Sequence, residues 1–317
     1  MTAAELRGQA EIRDRFIAER VARPLSAGER KDLTDFFHDE NADLLECAEC
    51  GLLLRSKHEE PAAKSYSEEE YDPSAIERVY PQYVRAFAEK DHPYRVLLPE
   101  HASIVELGSH YGAFLEVASK WGWSAVGVDK GEDSSRFARS RGFDVRSGDL
   151  RDCKFGEQSM DGLFIWNCFD QIDAPAPVLK EACRILKPAG LLVVRTPNAT
   201  FFTLCEKLLR EPALEPAAAR FLLEALAYNN LLGFPYRYGY SRSPLERLIE
   251  PFGFRCEGML NSELLTLPLP ESPEWVKREE RNIQKGVDLL AGSVLRNRQG
   301  ELAGPWIELG FRKIGGI

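Results

Sequence analysis

The stretch VELGSHYGAFLEVA, Val105 to Ala118, decides how the rest of the chain is read. A short apolar run, Ile104 to Leu107, stops at a turn carrying Gly108 and Gly112. Apolar residues at helical spacing, Phe114, Leu115, Val117 and Ala118, follow at once. The pattern is strand, glycine turn, helix. Glycine tolerates positive φ and lacks the side chain that would keep a ligand off the backbone, so two glycines four apart after a buried strand point to a nucleotide-type pocket. The same turn also serves as an ordinary strand-to-helix connection in an α/β domain, and glycine spacing alone does not separate the two.

The next segment does. WSAVGVDKGEDSS gives a second apolar strand ending at Asp129, 21 residues beyond Gly108. An acidic residue at the tip of the second strand, about 20 residues past a glycine turn, is placed to accept hydrogen bonds from both ribose hydroxyls of an adenosine ligand. A dinucleotide fingerprint needs glycine at the first, third and sixth positions, and here those hold Gly108, His110 and Ala113. A pyrophosphate would lack its close backbone approach, which ranks NAD and FAD below a ligand without phosphates.

Strands are expected near Ser103 to Leu107, Ser124 to Asp129, Asp144 to Gly148, Gly162 to Cys168 and Gly190 to Arg195. Helical patterns separate them, as in βαβ crossovers of a parallel sheet. Gly142 suits a helix C-cap, and Pro188 follows a helix ending near Lys187. FRCEGML, a charged helix from about Pro273 to Leu295, and PWIELGFRK supply a sixth strand, a helical insertion and a final strand. The expected fold is an α/β, Rossmann-like, mostly parallel seven-stranded sheet. An N-terminal helical and knuckle extension with a linker occupies 1–95. The ligand-binding domain occupies 96–317, and a helical lid insertion lies at about 199–242.

These motifs carry a resemblance. VELGSHYG with VGVD, then SGDL (Ser147 to Leu150), LFIWNCFDQI (Leu163 to Ile172) and ILKPAGLLVVRTPN (Ile185 to Asn198) resemble, in order, the successive motifs of class I S-adenosylmethionine-dependent methyltransferases. More narrowly, the chain is similar to bacterial small-molecule enzymes, the sugar C-methyltransferases and ubiquinone-type O-methyltransferases. Those begin with a zinc ribbon and a tyrosine-bearing linker, and LLECAECGLLL followed by YSEEEY stands in that place.

The resemblance implies an antiparallel last strand in the sheet. It also implies that Glu106, Gly108, Ser109, His110 and Gly112 border the methionine part of S-adenosylmethionine. It puts Asp129, with Lys130 beside it, on the ribose, Asp149 and Leu150 at the adenine, Asn167 under the sulfonium, and Tyr66 and Tyr71 over the cleft. Two departures matter. His110 stands where the family has its middle glycine, and the Glu-His pair after strand four is Asp170-Gln171. Glutamine takes no proton, so a base would be Asp170 or a lid tyrosine, Tyr236 or Tyr240. The expected acceptor is the hydroxyl or activated carbon of a sugar, quinone-like ring or secondary metabolite. A donor-binding partner protein without turnover and a nicotinamide-dependent oxidoreductase are the alternatives.

Composition sets the outer limits. The chain has 317 residues, 44% hydrophobic and 29% charged, enough for a full core with appendages, and a net charge of −9 without a basic run argues against a nucleic-acid partner. No apolar run reaches the length of a membrane span and the N-terminus lacks a signal-peptide core, so a cytoplasmic monomer or homodimer acting on a small molecule is expected. Seven cysteines fit reduced thiols better than a disulfide framework. Cys47 and Cys50 form half a zinc knuckle, but no second cysteine pair lies upstream. Only His38 and His58 are near, so the expectation is a turn without metal. Thr2 with Glu5 reads as a capping box for a first helix.

Overall fold

The computed structural model describes residues 1–20, 43–56, 73–89, 94–262, 272–293 and 304–315. Tyr66, Tyr71, His38 and His58 lie outside them. In chain order the helices are α1 (Ala3–Arg20), α2 (Pro73–Ala88), α3 (Ala113–Lys120), α4 (Glu132–Ser140), α5 (Pro175–Ile185), α6 (Ala199–Leu209), α7 (Pro216–Tyr228), α8 (Arg242–Ile249) and α9 (Glu274–Ser293). The strands are β1 (Leu44–Glu46), β2 (Leu53–Arg55), β3 (Ser103–Leu107), β4 (Ser124–Asp129), β5 (Asp144–Ser147), β6 (Met160–Ile165), β7 (Leu186–Pro197), β8 (Tyr238–Gly239), β9 (Phe254–Ser262) and β10 (Trp306–Lys313).

Seven strands form one sheet in the order β5-β4-β3-β6-β7-β10-β9, parallel except for its C-terminal strands. Chain order runs outward from β3 in one direction and from β6 in the other, so the reversal lies between them. Open α/β sheets bind ligands at that point, beyond the carboxyl ends of the strands. The register is regular: Leu107 pairs with Val128 on one side and Ile165 on the other. Parallel strands buried on both faces need continuous apolar runs, and Ile104, Val105, Leu163, Phe164, Ile165 and Leu191 to Val194 are all inaccessible to solvent.

Two details depart from the expected boundaries. The fourth strand of the parallel set runs Met160–Ile165 rather than Gly162 to Cys168. The pairing with β3 ends at Leu107 opposite Ile165, and the pairing with β7 ends at Val194 opposite the same residue. Trp166, Asn167 and Cys168 therefore sit on the connection leaving the sheet. The helix before Pro188 ends at Ile185 rather than near Lys187, and Pro188 lies inside the entry to β7, where the pairing with β6 is irregular and Ala189 takes φ 60°. Proline lacks the amide that a regular ladder would need there. Gly142 caps α4 as expected at φ 90°, with the Gly142 and Phe143 amides returned to Arg139 and Ala138.

The chain divides into two compact units. The first comprises 1–61, 196–244 and 260–307. In it, α1 opens with a reciprocal capping box: the Glu5 amide donates to the Thr2 hydroxyl at 3.3 Å and the Thr2 amide donates to Glu5 Oε2 at 2.7 Å. Phe16 of α1, Phe201 and Cys205 of α6, Leu226 of α7 and Val287 of α9 share one apolar core. A three-stranded sheet, β1-β2-β8, completes the unit. Arg55, at the end of the central strand β2, is buried and donates to the carbonyls of Gly233 (2.7 Å) and Pro235 (3.0 Å).

The second unit, 62–195, 245–259 and 308–317, holds the large sheet. Its core is rich in aromatic contacts: Phe114 meets Phe164 and Trp166 with ring centroids 5.0 Å apart, and Phe87 of α2 meets Phe114 at 5.4 Å. Such edge and tilted pairs are the favoured geometry for rings. Among the described residues no helix is long and apolar enough to cross a membrane.

Candidate active site

Residues leaving the carboxyl ends of β3, β4 and β6 come together in the second unit. Gly108 opens the turn at φ 76° and Gly112 closes it at φ 78°. A Cβ on Gly108 would stand 2.6 Å from Cys168 Sγ, so the turn and the connection after β6 touch at a point where only glycine fits. His110, between them, also takes positive φ, 46°. That conformation costs a non-glycine residue roughly 1–2 kcal/mol, and Asp129 offsets it: Oδ2 accepts the His110 amide at 2.7 Å, while Oδ1 accepts the Gly131 amide at 2.7 Å and the Ser134 hydroxyl at 3.3 Å. One carboxylate thus ties the glycine turn to the turn after β4.

Several turn amides are engaged internally. Those of Gly108 and Ser109 donate to the Val128 carbonyl and that of Gly112 to the Ser109 carbonyl. A phosphate cradle needs free amides converging on one point, and this turn has committed these three and that of His110. Beneath it, Glu106 is 3% exposed with Oε2 unpartnered, and Ser109 Oγ is likewise buried without a partner. Burial first, then the charge of Asp129, holds the Glu106 carboxyl well above the usual carboxylate range.

His110 is open to solvent; its ring lies 3.6 Å from Tyr111 and meets Tyr83 edge-on at 6.5 Å. The protein crowding round the imidazole pushes its pKa down more than Asp129 raises it. Lys130 and Asp149, at the tips of β4 and β5, form an exposed ion pair at 3.2 Å, and Leu150 is buried beside them in sequence. Asp170 sits in a short 3-10 turn, Phe169–Gln171, 4% exposed with Oδ1 unpartnered. Burial pushes its pKa to about 7. Asn167 is exposed; its Oδ1 accepts from the guanidinium of Arg195, and its backbone carbonyl accepts from Gln171 Nε2 at 3.2 Å.

Tyr236 and Tyr240 belong to the first unit, where Tyr236 is half-buried and Tyr240, 2% exposed, accepts the Ala199 amide on its carbonyl at 2.8 Å. Tyr71 is outside the described residues. Cys47 and Cys50 lie at the tip of the β1-β2 hairpin, closed by the Gly51 amide on the Cys47 carbonyl at 2.8 Å. Among the described residues no three potential metal ligands cluster.

Three residues near the turn escaped the sequence reading. Cys168 directly follows Asn167 and packs on Gly108; burial, then Asp170, raises its thiol pKa. Tyr83 shares a helix face with Tyr80 and Phe87, a signal that pointed only to packing. Arg195 interrupts the apolar run GLLVVRTP, and a charge inside a buried strand is the sign that could have found it.

A model of the family described as "Methyltransferase domain" matches residues 75–257. The chain belongs to this methyltransferase family. It is an enzyme of methyl transfer with S-adenosylmethionine as donor. Solved structures similar to this methyltransferase include S-adenosylmethionine-dependent methyltransferases from three organisms. That of Aquifex aeolicus is 14% identical, covering 77% of this chain and 100% of its own, TM-score 0.45. That of Mesorhizobium loti is 15% identical, covering 69% and 94%, TM-score 0.44. That of Archaeoglobus fulgidus is 17% identical, covering 73% and 94%, TM-score 0.41. Comparison with curated proteins returned no match.

Proposed function

We propose that this methyltransferase methylates a hydroxyl or an activated carbon of a small molecule such as a sugar, a quinone-like ring or a secondary metabolite. The carrying observation is the pairing of a base-strength carboxyl, Asp170, with a glycine turn built for a ligand without phosphates. A hydroxyl or carbon acid holds its proton at neutral pH, so its methylation needs a base poised near 7. Asp170, pushed to about 7, meets that need. Tyr236 and Tyr240 are the remaining candidates for that role.

The residues fit the donor. Buried oxygens of Glu106 and Ser109 lack partners beneath the turn and suit an ammonium and a carboxylate, the two ends of an amino-acid tail. Gly108, His110 and Gly112 shape the same border. Asp129 Oδ2 keeps a lone pair beyond its bond from the His110 amide and is available to a ribose hydroxyl, with Lys130 alongside. Asp149 and Leu150 would flank the adenine, Asn167 would lie under the sulfonium and Tyr71 would close over it.

When bound, S-adenosylmethionine supplies a methyl group on a positively charged sulfur, displaced in line by the acceptor. The protein's task is alignment in a site shielded from water, worth up to about 7–11 kcal/mol in well-oriented systems. Asp170 takes the acceptor's proton, and its buried setting keeps it a strong enough base to do so. Incubation with methyl-labelled donor and a panel of phenols, sugar nucleotides and enolisable ketones tests the proposal. Label in an O- or C-methyl product supports it. Label appearing only on amines, or donor binding without any product, overturns it.

A further inference from the structure

Behind Asn167 lies a buried polar chain that crosses three neighbouring strands. Arg195 of β7 is 0% exposed; its guanidinium donates to Asn167 Oδ1 at the tip of β6 and lies 3.4 Å from Glu308 Oε1 on β10. Glu308, 3% exposed, also accepts the Tyr94 hydroxyl on Oε2. Asn167 is the one exposed member of these four.

The orientation of an asparagine amide is ordinarily an assignment, since oxygen and nitrogen look alike. Here chemistry settles it. A guanidinium carries donors and no acceptor, so the group facing Arg195 has to be the amide oxygen. The NH2 is left pointing away, and no described residue accepts from it. Donation by a charged group to the oxygen also polarises the amide and strengthens its N–H groups as donors.

We infer that Arg195 is a positioning residue that locks Asn167 as a hydrogen-bond donor, so that the site selects a methyl acceptor presenting an oxygen lone pair, a hydroxyl, oxyanion or enolate, over one presenting N–H. This rests on the methyl-transfer reading above and narrows its substrate class. An amine has a single lone pair, which must face the methyl group, so it is left to set N–H against N–H. A hydroxyl keeps a second lone pair for Asn167, and an unmatched polar pair in a shielded site discriminates strongly.

The test uses the full chain saturated with S-adenosylhomocysteine and matched probes, phenol against aniline and catechol against o-phenylenediamine, titrated by ligand-observed NMR. Wild type should favour the oxygen member about tenfold, the size of one matched hydrogen bond. Asn167→Asp keeps the shape, pairs with Arg195 and offers only an acceptor outward, so the preference should vanish or invert. The same variant should hold its unfolding midpoint at or above wild type, because a carboxylate meets the guanidinium. Arg195→Gln frees the amide to turn and should erase the preference in the same way; should it fail to fold, Asn167→Asp alone decides. Equal binding of both members, binding of neither, an unchanged preference in Asn167→Asp or a midpoint several degrees lower overturns the inference. S-adenosylhomocysteine that binds while the preference is missing leaves the methyl-transfer reading intact; its failure to bind sinks both.

Discussion

Asp170 carries the clearest consequence of burial for a single residue. Its pKa of about 7 in the fold exceeds the ordinary aspartate value near 3.8. The folded state therefore holds the proton more tightly than the unfolded chain, and the carboxyl weakens the fold once it must ionise. Stability from this group is fully present below about pH 4 and is lost as pH climbs through about 7. Asp170→Asn should raise the unfolding free energy at pH 8, by a few kcal/mol at most, with the gain gone near pH 4; equal gains at both pH values would contradict it. The same substitution should abolish the rise of methyl transfer through pH 7. The type of residue at 170 is legible from sequence, but its strength as a base is not. That strength depends on burial by groups distant in the chain.

At the scale of elements, the glycine turn works as a joint between β3, β4 and the connection after β6. Its backbone follows from the sequence: strand, Gly108, Gly112, helix, and Asp129 at the next strand tip were all readable. The joint's lock was not, because Cys168 meets Gly108 across 60 residues of chain and looks like any core thiol. Gly108→Ala should cost about 2–4 kcal/mol, part from positive φ and part from the Cys168 overlap. In a Cys168→Ala background the overlap eases, and the cost should fall by about 1 kcal/mol or more in a double-mutant cycle of unfolding free energies. Additive effects would show that the two positions do not press on each other. The Arg195, Glu308 and Tyr94 chain was hidden for the same reason, its members lying on β7, β10 and ahead of β3. A buried charge in an apolar strand announces that a partner exists without naming it.

For the molecule as a whole, alternation of strand and helix made the large sheet legible, since parallel strands and their crossovers repeat one local pattern. The first unit was harder. Its core draws α1, α6, α7 and α9 from three separated stretches, and the capping box of α1 says where that helix starts but not what it packs on. What the two readings share is the central claim, an adenosine-bearing donor held at the tips of β3 and β4. Calorimetric titration of S-adenosylhomocysteine into the intact chain tests it most directly, with Asp129→Ala as the comparison. The account predicts one site per chain and an affinity lower by about 1–3 kcal/mol in the variant, from charge-assisted hydrogen bonds lost. No binding to wild type, or the same dissociation constant in both proteins, would contradict it.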